Sequence, residues 1–339
     1  MAATKQKISI GTRGSRLALV QAELARAALE KIAPEAEIET KIFVTQGDKK
    51  LAWSLEKTGG KGLFTSELEA ALVAGEIDVA VHSGKDLPTA LAAGTALAGC
   101  LTRADTRDVF VCHENFFDGD GFENAFRSVV PAEKKSVVPA GATVVPEVKI
   151  LSRAALKIAT GSPRRRAQAR ALFPNAEFCG LRGNLHTRLQ KIADGATADA
   201  TFLAAAGLAR LGISSFPGLK FFPLSVGAMV PAAAQAAIAL QTRAGDADFF
   251  SSACDAATSA AVTLERAFLA ALGEGCHTAF AVYFDGEVIR FFREDIGARV
   301  CGVDDDFSAA LRAASVGTLP DGNALGSVVA RVLRWIFGN

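Results

Sequence analysis

Residues 159–189 read A-T-G-S-P-R-R-R-A-Q-A-R-A-L-F-P-N-A-E-F-C-G-L-R-G-N-L-H-T-R-L, and their arginines are the first side chains whose spacing suggests chemistry. Ser162 suits a helix N-cap and Pro163 the first helical position. Arg164, Arg165 and Arg166 then fill the first turn, where the helix dipole favours acidic residues. An anion at that terminus accounts for the choice, because free N–H groups and guanidinium forks then face the same ligand. A second start of this kind is read at Asn184, with Arg182 just before it and Arg188 one turn inside. A solvated basic face is the plain alternative. Two such starts in one stretch favour a site for a ligand carrying several carboxylates or phosphates.

The elements that must position these residues follow a strand–turn–helix plan. Residues 7–11 read as a strand and Gly11 to Ser15 as a turn bearing Arg13. Ser15 then caps a helix with apolar positions Leu17, Val20, Leu24, Ala27 and Ala28. The next strand is read at 38–44, so the chain opens as a βαβ unit and predicts a mostly parallel sheet with helices on its faces. Thr58 to Gly62 sets three glycines around Lys61 without the Walker spacing; it is either an ordinary connection or a lid carrying a cation. A helix is expected at 64–74. A buried strand at 77–81 runs into His82, Ser83, Gly84, Lys85 and Asp86. Ligands of open α/β sheets gather outside the carboxyl ends of strands. Lys85 beside Asp86 is compatible with a simple ion pair. Among so many arginines, Asp86 also suits the role of a proton carrier.

Composition narrows the classes. A chain of 339 residues suggests two or three domains, and half of its residues are hydrophobic. Net charge is +1, so the arginine clusters are local, and no nucleic-acid partner is expected. Aromatics are 7%, with one Tyr and two Trp, which argues against base-stacking platforms. The cysteines at 100, 112, 179, 254, 276 and 301 form no C-x-x-C pair, so no metal site is expected and a reducing compartment fits. No secretory signal and no apolar run of membrane-spanning length is read, so a cytoplasmic protein without a membrane partner is the expectation.

Further along, Arg103 to Asp108 precedes a strand at 109–112 and marks a domain crossover. Residues 113–157 carry Asp118-Gly119-Asp120-Gly121, a near repeat of S-V-V-P-A, and Pro131, Pro139 and Pro146; they read as a long surface loop with short extended pieces. A strand is expected at 198–205, a helix start at 208–211, loop at 216–222, a return to the first domain at 231–240 and a helix at 255–271. Strands at 281–284 and 288–292 and a helix at 324–337 complete the chain. Cys276, between glycines and before His277, is either a buried structural thiol or the nucleophile of an acyl transfer; no orienting Asn or Asp is located, and adjacent residues rarely form such pairs.

The motifs T-R-G-S-R-L-A-L at 12–19, G-G-K-G-L-F-T-S-E-L-E at 59–69, A-V-H-S-G-K-D-L-P at 80–88, L-R-G-N-L-H-T-R-L at 181–189, A-A-G-L-A-R-L-G at 205–212, P-A-A-A-Q-A-A-I-A at 231–239 and G-E-G-C-H at 273–277 occur in one order. Together they resemble the hydroxymethylbilane synthase (porphobilinogen deaminase) family. The resemblance has departures: Gly84 stands where the family pattern has Met, Pro163 and Arg166 are substituted, and the glycines flanking Gln235 are Ala234 and Ala236.

The resemblance implies an α/β protein of three domains: 1–108 with 228–246, 109–227 with the elongated loop near 113–157, and a small α+β domain at 247–339. The first two would resemble periplasmic-binding-protein lobes. It implies a transferase that condenses four porphobilinogen units head to tail onto a dipyrromethane cofactor, each losing ammonia, before hydrolysis releases hydroxymethylbilane for heme biosynthesis. Cys276 would hold the cofactor through a thioether, its glycines allowing close approach. Ser83, Lys85, Thr160, Ser162, Arg164, Arg165, Arg188 and Gln235 would bind the cofactor. Arg13, Ser15, Arg182, Arg210 and Lys61 would bind substrate, and Asp86 would be catalytic, as proton carrier and counterion to the cationic azafulvene left by ammonia. A monomer is expected. The alternatives are a non-catalytic two-lobed anion-binding protein and an inactive paralogue.

Overall fold

The structure, a computed structural model, describes residues 7–45, 65–116, 143–144, 156–273 and 278–303, and near the C-terminus 326, 329–330 and 332–334. Lys61, Cys276, most of the 113–157 segment and most of the expected 324–337 helix lie outside the described residues.

In chain order the elements are β1 (Lys7–Arg13), α1 (Arg16–Ile32), β2 (Glu37–Phe43), α2 (Ser66–Val73), β3 (Val79–Ser83), β4 (Thr95–Cys100), β5 (Asp108–His113), β6 (Thr143–Val144), β7 (Lys157–Ala159), α3 (Pro163–Leu172), β8 (Glu177–Cys179), α4 (Leu185–Ala193), β9 (Ala200–Ala204), α5 (Ala205–Arg210), β10 (Leu219–Pro223), β11 (Ile238–Arg243), α6 (Ala247–Ser251), α7 (Ala256–Ala271), β12 (Phe280–Phe284), β13 (Val288–Arg293) and β14 (Gly297–Gly302). The chain divides into two compact units. Unit 1 comprises Met1–Ala104, Ala233–Cys276 and Asp306–Val329; unit 2 comprises Asp105–Ala232, His277–Asp305 and Ala330–Asn339.

Each unit is built on a mixed five-stranded sheet of the same plan. In unit 1 the order is β2-β1-β3-β11-β4, with β1, β2 and β3 parallel and β11 antiparallel to β3 and β4. In unit 2 the order is β10-β5-β9-β7-β8, with β7, β8 and β9 parallel and β5 antiparallel to β9 and β10. The antiparallel strands β5 and β11 are the ones that follow the first two crossings of the chain between units. This is the α/β architecture that the opening βαβ pattern predicts. A smaller antiparallel sheet, β12-β13-β14-β6, sits in unit 2, where Ala281 and Phe292 pack on Val230 and Ala167. β6, from the segment read as a surface loop, is its edge strand.

Apolar burial explains the layering. In unit 1, Ile8, Ile10, Val79, Val81, Ile238 and Leu240 meet Ala22, Ala25 and Leu29 of α1. In unit 2, Phe110 stacks on Phe173 with ring centroids 5.0 Å apart, and Phe202 tilts against both.

Four local expectations are corrected. Gly11 is not a turn residue: β1 runs on to Arg13, and a β-carbon at position 11 would lie 2.3 Å from Ile77 Cδ1, so glycine serves close packing. The buried stripe of α1 is Gln21, Ala22, Ala25 and Leu29, while Leu24 is 44% exposed, because the small residues let the helix sit close to the sheet. Residues 219–223 form edge strand β10 rather than loop, since pairing with β5 satisfies their backbone groups. β14, read from no sequence pattern, pairs with β13 in the small sheet.

Candidate active site

In unit 1 the carboxyl ends of β1 and β3 lie side by side, because the two strands are parallel neighbours with Gly11 opposite Ala80. Arg13 ends β1, and Ser15 caps α1 by accepting from the Ala18 N–H at 3.2 Å. Gln21 of α1 exchanges hydrogen bonds with the Ser83 hydroxyl at the end of β3, at 2.9 and 3.1 Å. Gly84, Lys85 and Asp86 then form one 3-10 turn, with Gly84 buried and Asp86 exposed. The structure thus brings Arg13, Ser15, Ser83, Lys85 and Asp86 to one edge of unit 1. His82, one residue before this edge, is buried; burial drives its pKa down to about 4, Gln241 acts against the shift and the charges of Arg13 and Arg266 add to it. Its imidazole is therefore uncharged near neutral pH.

The Asp86 turn rests on a second turn at 233–237. Ala234 and Ala236 hold φ of 57° and 70°, in the left-handed region that costs an alanine about 1–2 kcal/mol. Such strain persists only where the surroundings over-determine it. Here they do. The Ala234 N–H donates to Glu265 Oε2 at 2.7 Å, and Arg103 Nε donates to the Gln235 carbonyl at 2.9 Å. Arg103 and Glu265 close a bidentate pair at 2.8 and 3.0 Å, with Glu265 fully buried on α7. The Gly84 N–H donates to the Ala237 carbonyl at 2.9 Å. Arg266, the next residue of α7, donates to the carbonyls of Pro88 at 2.7 Å and Thr89 at 3.1 Å. Gln235 itself is fully buried at the apex.

Unit 2 gathers its polar residues at the carboxyl ends of β7, β8 and β9, which are parallel. The Thr160 N–H donates to the Cys179 carbonyl at 2.8 Å and joins the ends of β7 and β8. Both expected helix starts are present. Ser162 Oγ accepts from the Arg165 N–H and Asn184 Oδ1 from the Thr187 N–H. Arg188 Nε donates to the Gly183 carbonyl at 2.7 Å. Gly183 has φ of 120°, and a β-carbon there would lie 2.8 Å from Thr187 Cγ2, so only glycine makes this turn. Arg210 ends α5, after β9.

The basic first turn of α3 already has an anion. Arg165 donates to Asp108 Oδ1 through Nε at 3.0 Å and Nη2 at 2.7 Å, and Arg164 Nη2 lies 2.8 Å from Asp108 Oδ2. All three are buried. Two further guanidinium nitrogens reach backbone: Arg165 Nη1 to the Phe202 carbonyl at 2.8 Å, Arg164 Nη1 to the Val230 carbonyl at 2.7 Å. Burial alone would raise the Asp108 pKa; the two guanidinium groups outweigh it and hold it down to about 2. Two cations against one carboxylate leave a net positive charge beneath the Ser162 helix start. Sequence reasoning missed Asp108, Arg103 and Glu265. The one available signal was a glutamate on an otherwise apolar face of α7.

The donor set suits a polycarboxylate such as dipyrromethane. The unit 2 edge presents hydroxyls, helix N-termini and guanidinium groups, and the buried Nε of Arg166 has no hydrogen-bond partner among the described residues. One carboxylate oxygen would satisfy it. Among the described residues no three His, Cys, Asp or Glu side chains converge as metal ligands, and no helix is long and apolar enough to cross a membrane.

Comparison with known proteins agrees with this chemistry. The family profile described as porphobilinogen deaminase, dipyromethane cofactor binding domain, matches residues 8–251. A porphobilinogen deaminase from Burkholderia thailandensis is 38% identical over 331 residues, covering 96% of this chain and 89% of that one. Another from Sphingopyxis alaskensis is 40% identical over 302 residues, covering 87% and 85%. Among solved structures, the periplasmic aliphatic sulphonate binding protein SsuA of Escherichia coli aligns with a TM-score of 0.38 at 15% identity, covering 97% of this chain and 79% of that one. With the profile spanning every strand of both five-stranded sheets, the chain belongs to the porphobilinogen deaminase family.

Proposed function

We infer that this chain catalyses the porphobilinogen deaminase (hydroxymethylbilane synthase) reaction of tetrapyrrole biosynthesis, which joins four porphobilinogen units head to tail with loss of ammonia and releases hydroxymethylbilane by hydrolysis. The observation that carries this reading is the family match across 8–251, the span that contains the polar edges of both units. When bound, the dipyrromethane cofactor supplies the pyrrole carbon to which the first substrate is joined. In this reading Cys276 bears it, and Ser83, Lys85, Thr160, Ser162, Arg188 and Gln235 hold it. Arg164 and Arg165 contribute the net positive charge of their buried cluster with Asp108. Arg13, Arg182 and Arg210, with Ser15 and Lys61, bind substrate acetate and propionate groups, since a guanidinium fork matches a carboxylate. Asp86 carries the proton: it protonates the departing amine, and its carboxylate then balances the cationic substrate and accepts the pyrrole α-proton. The reading includes a monomer, a cytoplasmic setting and the three-domain division at 1–108 with 228–246, 109–227 and 247–339.

Intact mass of the purified chain tests it. An excess equal to two linked pyrroles is expected, and the bare chain mass would favour a non-catalytic anion binder or an inactive paralogue. Cys276→Ser replaces a good sulfur nucleophile with a hydroxyl hardly ionised at neutral pH. It is expected to fold, to lack the added mass and not to turn over; retention of the covalent dipyrrole would move the attachment point elsewhere.

Arg182→Ala and Arg188→Ala should weaken polypyrrole assembly more than folding, each by about 1.5–3 kcal/mol of lost charged hydrogen bonding. Both are half-buried, but Arg188 also braces the Gly183 carbonyl, so Arg188→Ala should show the larger fall in melting temperature. Melting curves beside activity assays check this. Equal losses of stability and activity in both variants would argue against a ligand role.

A further inference from the structure

Two departures from the family pattern meet in space. Gly84 and Ala234, two of the departures noted with the resemblance above, lie against each other. A β-carbon at position 84 would lie 3.0 Å from Ala234 Cβ, 3.1 Å from the Ala234 carbonyl oxygen and 3.4 Å from Ala237 Cβ. The space that a side chain at 84 would need is therefore bounded by the Ala234 methyl, with the Ala234 carbonyl oxygen and Ala237 beside it. Ala234 is 1% exposed and shares an apolar cluster with Leu87, the residue directly after Asp86. The cluster and the Gly84 N–H bond to Ala237 grip the Gly84–Asp86 turn from both ends. The Ala234 backbone is itself fixed by the Arg103–Glu265 pair.

We propose that Ala234 is a positioning residue for Asp86: its methyl, held in a left-handed turn, takes the place of a side chain at position 84 and sets where the Lys85–Asp86 turn sits. This rests on the assignment of Asp86 above. Positions 84 and 234 then form an exchangeable pair in which one member carries a side chain and the other is glycine. A bare backbone at both positions leaves the turn without support, and side chains at both crowd it and push the two turns apart.

The test compares the parent chain with Ala234→Gly, Gly84→Met and the double variant Gly84→Met/Ala234→Gly. Gly84→Met alone is expected to lower kcat by about tenfold to a hundredfold with little change in KM, because the carboxylate-binding arginines stay in place while the proton carrier shifts. Adding Ala234→Gly should return kcat to within about threefold of the parent, the rescue expected of an exchangeable pair. Ala234→Gly alone should lower kcat several-fold while the melting temperature holds or rises, because glycine accepts the left-handed conformation without strain. A residue that only stabilised the fold would move both together. Amide exchange over residues 84–87 reads the turn independently of turnover and should speed up in Ala234→Gly. Unchanged exchange there, an unchanged kcat, or a double variant no better than Gly84→Met would each overturn the inference. A parent chain without turnover would instead sink the enzymatic reading, with the exchange measurement still deciding the packing.

Discussion

Asp86→Asn is expected to keep the fold and the covalent cofactor yet elongate it about 10²–10⁴ times more slowly. The magnitude is that of general acid–base help, and the loss of a counterion among arginines adds to it. The substitution preserves shape and removes both the proton and the charge. Because Asp86 is exposed at the end of its turn, stability should change by no more than about 0.5 kcal/mol. The measurement is mass spectrometry after incubation with porphobilinogen, beside a melting curve. The parent should pass through adducts of increasing pyrrole number, and the variant should stall at the first. Elongation at the parental rate would remove Asp86 from the mechanism. A large fall in melting temperature would mean that the carboxylate serves the fold instead.

Asp108→Asn is expected to have the largest effect on stability. It strips the anion from two buried guanidinium groups, each of which already has its Nη1 committed to a carbonyl, of Val230 or of Phe202. Breaking a buried ion pair on one side costs about 3–5 kcal/mol. The pH dependence follows from the depressed pKa. The Asp108 carboxyl titrates near 3.8 ordinarily and at about 2 in the folded chain, so the unfolded state binds the proton first. Its stabilisation is complete above the ordinary value and is lost as pH falls through about 2. Urea unfolding of parent and variant should therefore show a wide gap near neutral pH that narrows on acidification. A gap of the same width throughout would show that the carboxylate contributes shape rather than charge.

What the sequence determined by itself was local. The caps Ser15, Ser162 and Asn184 were legible because each bonds an N–H three residues on, and the cap and its helix are written together. The βαβ opening and a strand leading into the polar 82–86 stretch were legible from periodicity and from the rule that α/β sites lie beyond strand ends, although the strand expected at 77–81 runs at Val79–Ser83. The tertiary structure decided which of these residues face one another. The anion beneath the Arg164–Arg165 turn is Asp108, 57 residues upstream of Arg165, and Glu265 lies 162 residues from Arg103. No spacing rule links side chains so far apart; their pairing depends on which strands become neighbours. β10 read as loop because a short apolar edge strand carries no helical or alternating signature, and pairing with β5 supplies the reason for its shape. Gly84 and Ala234 looked like two unrelated departures. Only the packed turn, where a missing side chain at one position makes room for a methyl at the other, makes them a single change.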